Sequence, residues 1–337
     1  MTTPRQRRRH NAFRVAVGCL STLLLLSACS STGGKPRESG PGMGAGQADT
    51  PRLTIAMVTH GPPGDTFWDL IRKGAETAAA KDNIELKYSA ALSGPEQAAL
   101  VETAVDSDVN GIAVSLARPE ALASAVERAN SEGIPVAAFN AGIDAWKSQG
   151  AIAYFGQDEK ISGEAAGKRL AADGAKKIVC VIQDQGNVAL ESRCAGVTSG
   201  LGGGQVENLN VNGTDMPSVE STITAKLQQD PSIDTVMTLG APIALAAVQS
   251  AKTAASKAKI VTFDTNGALV DAIKSGQVQW AVDQQPFLQG YLAIDSLWLY
   301  LNNRNTIGGG MPTLTGPAFI DKSNIDAIAE YAKNGTR

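Results

Sequence analysis

The sequence predicts an α/β protein built as two doubly wound lobes. From Leu53 onward, short β-rich runs alternate with amphipathic or Ala-rich segments, and five such strand–helix units are followed by five more. The apolar runs are continuous, as in Gly111-Ile112-Ala113-Val114 and Ile134-Pro135-Val136-Ala137-Ala138-Phe139, which suits parallel strands buried on both faces. Aromatic residues make up only 5 % of the 337-residue chain and glycines number 35, a composition that suits Rossmann-like packing.

Taken in order, the chain opens on an arginine-rich start (Arg5, Arg7, Arg8, Arg9, Arg14), an apolar run from Val15 to Leu26, and Leu26-Ser27-Ala28-Cys29. The run is about a dozen residues, well short of the roughly 20 a membrane span needs, and small residues precede the cysteine. Residues 1–28 therefore read as a lipoprotein signal peptide, with Cys29 lipidated and the protein held on the outer face of the cytoplasmic membrane. An uncleaved N-terminal anchor is the competing reading; the residues after Arg8-Arg9 fit twin-arginine export poorly. Residues 29–51, rich in Gly, Ser and Pro, read as a flexible tether.

Strands are expected at 53–58, 84–88, 111–116, 134–139 and 151–155, then at 177–182, 206–211, 235–239, 260–263 and 278–282. The first helix has Asp65 as its N-cap and apolar residues at Phe67, Leu70, Ile71, Gly74, Ala75 and Ala78, which is helical spacing. The glycine-rich stretch from Gly200 to Gly204 follows a helix rather than a strand, so it reads as a C-cap and loop, not a dinucleotide fingerprint. Without a phosphate loop, no cofactor is expected.

Composition excludes several functions. Without the signal peptide the chain carries 25 Lys and Arg against 33 Asp and Glu, a net charge near −8, which argues against nucleic acid as a partner. His60 is the only histidine outside the signal peptide, so a His-rich metal site is excluded, and no Gly-x-Ser-x-Gly motif supports a nucleophile beside it. Cys19 lies in the signal peptide. Cys180, in the apolar strand Ile178-Val179-Cys180-Val181-Ile182, and Cys194, on the next helix, either form one disulfide or stay as two buried thiols.

In open parallel sheets, ligands sit at the carboxyl ends of the strands. Those ends carry His60-Gly61, Ser115, Asn140, Gln157-Asp158, Gln183, Asn212-Gly213-Thr214-Asp215, Gly240, Asp264 and Asp283-Gln284-Gln285. Neutral hydrogen-bonding groups and carboxylates of this kind can surround a polyhydroxylated neutral molecule.

At these positions the chain, from about Leu53 to Tyr331, resembles the ribose-binding (type I) family of periplasmic sugar-binding proteins. Gly64-Asp65-Thr66-Phe67-Trp68 followed by Gly74 is similar to the family's Asn-Pro-Phe-Phe stretch, which implies that Phe67 and Trp68 clamp a sugar ring. Gly133-Ile134-Pro135-Val136 leading to Asn140 resembles the strand whose family counterpart ends in a ligand-binding Asp. Glu191-Ser192-Arg193 with Gly196 resembles the Arg-Glu-Arg-Gly stretch, making Arg193 the hydroxyl-binding arginine. Val261-Thr262-Phe263-Asp264 matches Val-Gly-Phe-Asp, and Ala281-Val282-Asp283-Gln284-Gln285-Pro286 matches the crossover carrying a binding glutamine, here Gln284.

His60, Asp65, Asp158 and Asn187 are further candidates. Each has a plainer alternative: Asp264 as the cap of the helix near Gly267, Arg193 paired with Glu191 on a helix surface, Asp158 orienting Arg193 or holding the hinge. The chain departs from the family at Gly240, where an Asn is expected, near Thr214, where an aromatic is missing, and in the loop lengthened by Gly61-Pro62-Pro63.

The resemblance implies a three-stranded hinge with crossings near Gln157, Gln284 and Pro312. It divides the chain into a first lobe, 52–157 plus 285–312, and a second, 158–284 plus 313–337. It implies a monomeric, non-enzymatic solute-binding protein that captures a sugar, sugar-alcohol or cyclitol between the lobes and delivers it to an ABC permease. The alternative is a receptor presenting a sugar or furanosyl signal to a membrane sensor. A hydrolase using Asp65 and Asp264 is the enzymatic competitor.

Overall fold

In the computed structural model, residues 46–337 are described, with the exception of Pro63. The expected signal peptide and Cys29 lie outside the described residues. The first half runs β1 (Leu53–Thr59), α1 (Thr66–Lys81), β2 (Ile84–Ala90), α2 (Gly94–Asp106), β3 (Gly111–Ser115), α3 (Pro119–Ser131), β4 (Val136–Asn140) and β5 (Ala153–Gly156). The second runs α4 (Glu159–Ala172), β6 (Lys177–Ile182), α5 (Val188–Leu201), β7 (Gln205–Asn210), α6 (Met216–Gln229), β8 (Thr235–Thr238), α7 (Ala241–Thr253), β9 (Lys259–Phe263), α8 (Gly267–Lys274) and β10 (Trp280–Asp283). The chain ends with α9 (Pro286–Asn303), β11 (Thr313–Leu314), β12 (Ala318–Asp321) and α10 (Asp326–Lys333).

Among the described residues these strands form two six-stranded sheets, ordered β11-β5-β4-β3-β1-β2 and β12-β10-β9-β8-β6-β7. The pairings within them are parallel apart from β12 against β10. The orders superpose position by position, so β4 corresponds to β9 and β1 to β6. Central strands such as β3 and β4 are buried along their whole length, whereas the edge strand β7 is mostly exposed.

The chain passes between the sheets at 157–158, 284–285 and 315–317. The third passage falls beyond the Pro312 expected from sequence, because Thr313–Leu314 first add a short strand beside β5. The tether is also shorter than expected at its carboxyl end. Ala48 N–H donates to the Lys81 carbonyl at 2.7 Å, and Thr50 receives hydrogen bonds from Asn83 and Trp298, so these residues lie against the first lobe.

Each sheet is covered on both faces. In β6, Val179 and Val181 face a cluster with Val219, Ala247 and Leu269, while Ile178, Cys180 and Ile182 face one with Leu170, Val197 and Phe263. Cys180 and Cys194 are disulfide-bonded with Cα atoms 5.9 Å apart, which resolves the alternative left open by the sequence and ties β6 to α5.

Helices α4 and α5 touch through glycines. A Cβ at Gly163 would lie 2.2 Å from the Arg193 carbonyl oxygen, and one at Gly196 would lie 2.4 Å from that of Lys160. No larger residue fits without parting the helices. Helix starts after the strands are capped by polar side chains: Asp65 accepts from Phe67 N–H, Asp158 from Ile161, Asn187 from Ala189 and Asn266 from Leu269. Strand ends and helix caps thereby gather polar groups at one level of each lobe.

Candidate functional site

Residues at the carboxyl ends of strands in both sheets line one cavity of about 320 Å³. From the first lobe come His60 after β1, Asp65, Phe67 and Trp68 at the start of α1, and Asn140 at the end of β4. The second lobe supplies Gln183, Asn187, Arg193, Gly240 and Asp264, and the crossing supplies Gln284. Nine of the ten sequence-derived candidates therefore meet here.

Asp158 does not line the cavity, and it neither binds Arg193 nor reaches across the hinge. Its carboxylate is spent on the Ile161 N–H as the α4 cap. Its neighbour Glu159 takes the orienting role, which sequence reasoning missed.

Arg193 is 3 % exposed and forms a two-pronged pair with Glu159, with Nη2 to Oε1 at 2.9 Å and Nε to Oε2 at 2.5 Å. Nη1 donates to the Leu239 carbonyl at 3.3 Å, and the guanidinium lies over the Phe263 ring at 4.7 Å. Three of the five N–H groups are thus engaged, leaving one on each Nη. Glu191, the partner considered from sequence, accepts instead from Gly186 N–H.

Asp264 is buried in the left-handed region at φ 65°, with Oδ1 accepting from Gln284 Nε2 at 2.7 Å. Burial pushes its carboxyl up to about 7, against the pull of Arg193 and the Gln284 hydrogen bond. It does not cap α8; Asn266 does. Burial likewise raises Asp65, although its Oδ1 accepts from the Phe67 N–H.

Trp68 is nearly buried, its ring edge-on to His60 at 4.5 Å and to Phe67 at 5.3 Å; Phe67 is half-buried. The site is therefore an aromatic wall facing carboxylates, amides and an arginine already balanced by Glu159. Such a cavity suits a ring with an apolar face and several hydroxyls.

The family model of the periplasmic binding protein domain matches residues 55–305. The chain belongs to the periplasmic binding protein family. A carbohydrate transporter from Acidothermus cellulolyticus 11B, solved in complex with myo-inositol, is 57 % identical, covering 85 % of this chain and 100 % of that one with a TM-score of 0.84. A xylose/arabinose-binding protein of Sulfolobus acidocaldarius is 27 % identical over 67 % of this chain, a match that spans 60 % of the relative's length. The ribose import binding protein of Bacillus subtilis is 23 % identical over 84 % of this chain and 91 % of its own.

This periplasmic binding protein has the type I form, two parallel-rich sheets with three crossings, and is a binding component rather than an enzyme. Its cavity is also lined by Asp184, Leu239, Pro242, Ile243 and Thr265, which the sequence reading did not single out. Proximity to a strand end was the available signal: Leu239 follows β8, Thr265 follows Asp264, and Asp184 follows Gln183. Between the lobes, Arg118 pairs with Asp184 and donates to the Gln185 carbonyl at 3.2 Å, and Val188 N–H donates to the Ala117 carbonyl at 3.1 Å.

Proposed function

We propose that this protein is a lipid-anchored, extracytoplasmic solute-binding protein that captures a neutral cyclitol or closely related sugar or sugar-alcohol between its lobes and delivers it to an ABC permease. The carrying observation is the charge balance of the cavity. Glu159 neutralises the buried Arg193 while leaving two of its N–H groups free, and Asp264 and Asp65 supply acceptors in the cavity that Phe67 and Trp68 also line. An anionic sugar would meet those carboxylates, whereas a neutral polyol can donate to them and accept from Arg193. Myo-inositol is favoured within this class because the 57 % identical relative was solved with it. Gly240 adds room where the ribose-binding pattern has Asn.

The anchoring part of the proposal rests on Leu26-Ser27-Ala28-Cys29. Delivery to a permease rests on family membership.

The test is a thermal-shift and calorimetric screen with inositols, pentoses, hexoses and polyols. Myo-inositol at 100 times its dissociation constant is expected to stabilise the protein by about 2.7 kcal/mol, an effect lost in Arg193→Ala. No shift with any neutral polyol would refute the reading.

A further inference from the structure

His60 follows β1 in the first lobe, and Asn187 caps α5 in the second; their side chains meet across the cleft, with Nδ2 of Asn187 3.1 Å from Nε2 of His60. The rest of the network fixes which atom donates. Asn187 Oδ1 accepts the Ala189 N–H at 3.1 Å, and Nδ2 also donates to Asp184 at 3.0 Å, so the amide cannot turn over without losing both. An amide nitrogen does not accept, so His60 Nε2 carries the lone pair and the ring proton sits on Nδ1, 2.7 Å from Ser115 Oγ.

Resting on the capture reading above, we propose that His60 is a positioning residue that latches the lobes through its neutral Nδ1–H tautomer, so that closure on ligand expels a proton in mild acid and affinity falls there. A protonated ring would point Nε2–H at the Asn187 amide protons, donor against donor. No nearby charge offers relief. Arg118 and Arg193 both disfavour a second cation, their partners Asp184 and Glu159 are already engaged, and Asp65 is occupied at the start of α1. The Trp68 ring packs against His60 in a T-shaped contact at 4.5 Å, and His60 is 5 % exposed.

Burial first, then Arg118 and Arg193, hold His60 down at about 3 in this arrangement. Parted lobes return it to water and to its ordinary value of about 6.5. Protons then bind the open form alone between these limits, and by linkage the dissociation constant rises about tenfold per pH unit below about 6.5.

The experiment is calorimetry of myo-inositol binding from pH 8 to pH 5 on the wild type, His60→Gln and Asn187→Asp, with circular dichroism verifying each fold. The wild type is expected to lose about tenfold more affinity per unit below pH 6.5 than His60→Gln, and to release about 0.9 more proton per ligand at pH 5.5, read from binding heats in buffers of different ionisation enthalpy. Asn187→Asp retains a capping oxygen but accepts from a protonated His60, so its pH dependence should flatten or reverse. A merely structural His60 would lower affinity equally at every pH. Equal slopes in wild type and His60→Gln, or an unchanged slope in Asn187→Asp, would overturn the latch. Absence of binding by myo-inositol and the other neutral polyols at pH 8 would overturn the capture reading, and the latch with it.

Discussion

Asn140 and Asp264 end corresponding strands of the two lobes in the same left-handed backbone, each at φ 65°, and Gln284 hydrogen-bonds to both. Asn and Asp tolerate this conformation better than other side-chain-bearing residues, which suits them to a sharp exit from a strand. Gln284 stands on the crossing between the sheets, accepting from Asn140 at 3.3 Å and donating to Asp264 at 2.7 Å. One hinge residue thus aligns a polar group from each lobe on the same cavity.

Asp264→Asn should stabilise the ligand-free protein while removing binding. The folded pKa of about 7 lies above the unfolded carboxylate value, so the stability associated with a protonated Asp264 is fully present only below about pH 4 and is lost as pH rises through 7. An amide carries no such penalty and still accepts from Gln284. Denaturant unfolding at pH 8 should show a gain on the order of 2–4 kcal/mol, shrinking toward zero near pH 4. Equal stability at pH 8, or binding retained at wild-type strength, would contradict the role given to this carboxylate.

Glu159→Gln should weaken binding although Glu159 lies outside the cavity lining. The change leaves a buried guanidinium without its counter-charge, a loss of roughly 3–5 kcal/mol for such pairs. It also frees Arg193 from the two-pronged geometry that aims its remaining N–H groups. Unfolding curves and calorimetry at pH 7 should show both effects. Replacing the pair together, as Glu159→Met with Arg193→Met, should recover much of the stability and none of the binding.

The doubled fold and most of the cavity are readable from the chain because both follow from short-range pattern. Continuous apolar runs mark the buried central strands, and topology then places the carboxyl ends of the strands together. Segments β11 and β12 carry no such run; Thr313–Leu314 and Ala318–Asp321 are only partly buried and are strands by virtue of their neighbours. Glu159 escapes for a different reason. Its partner is 34 residues away, and only the close glycine contact of α4 with α5 brings the two together. Asp158 attracts attention at the same strand end and is a cap.

That glycine contact yields a further test. Gly163→Ala places a Cβ where only 2.2 Å separates it from the Arg193 carbonyl oxygen, so α5 must move. Overpacking of this kind costs typically 1–3 kcal/mol. Because the displaced residue is Arg193 itself, affinity for myo-inositol should also fall, by tenfold or more, while Gly203→Ala, whose Cβ meets nothing within 4 Å, should leave affinity unchanged. Destabilisation without loss of affinity would separate helix packing from the site.

Gly240 offers the opposite case, a glycine whose replacement the backbone accepts. Its φ of −168° is extended, and an added Cβ would meet only Gln183 Nε2 at 3.2 Å, the far end of a flexible side chain. Gly240→Asn should therefore change stability by no more than about 0.5 kcal/mol. It should instead change selectivity, since the new amide enters the cavity beside Gln183 and Asp264. A six-membered ring with a hydroxyl on every carbon has least room to yield, so myo-inositol affinity is expected to fall about tenfold or more, about 1.4 kcal/mol. A smaller pentose gains a hydrogen-bonding partner, so the ratio of myo-inositol to ribose affinity, measured by calorimetry on both proteins, should drop further than either constant alone. If that ratio does not move, the space at Gly240 plays no part in choosing the ligand, and selectivity must lie with the carboxylates and Arg193.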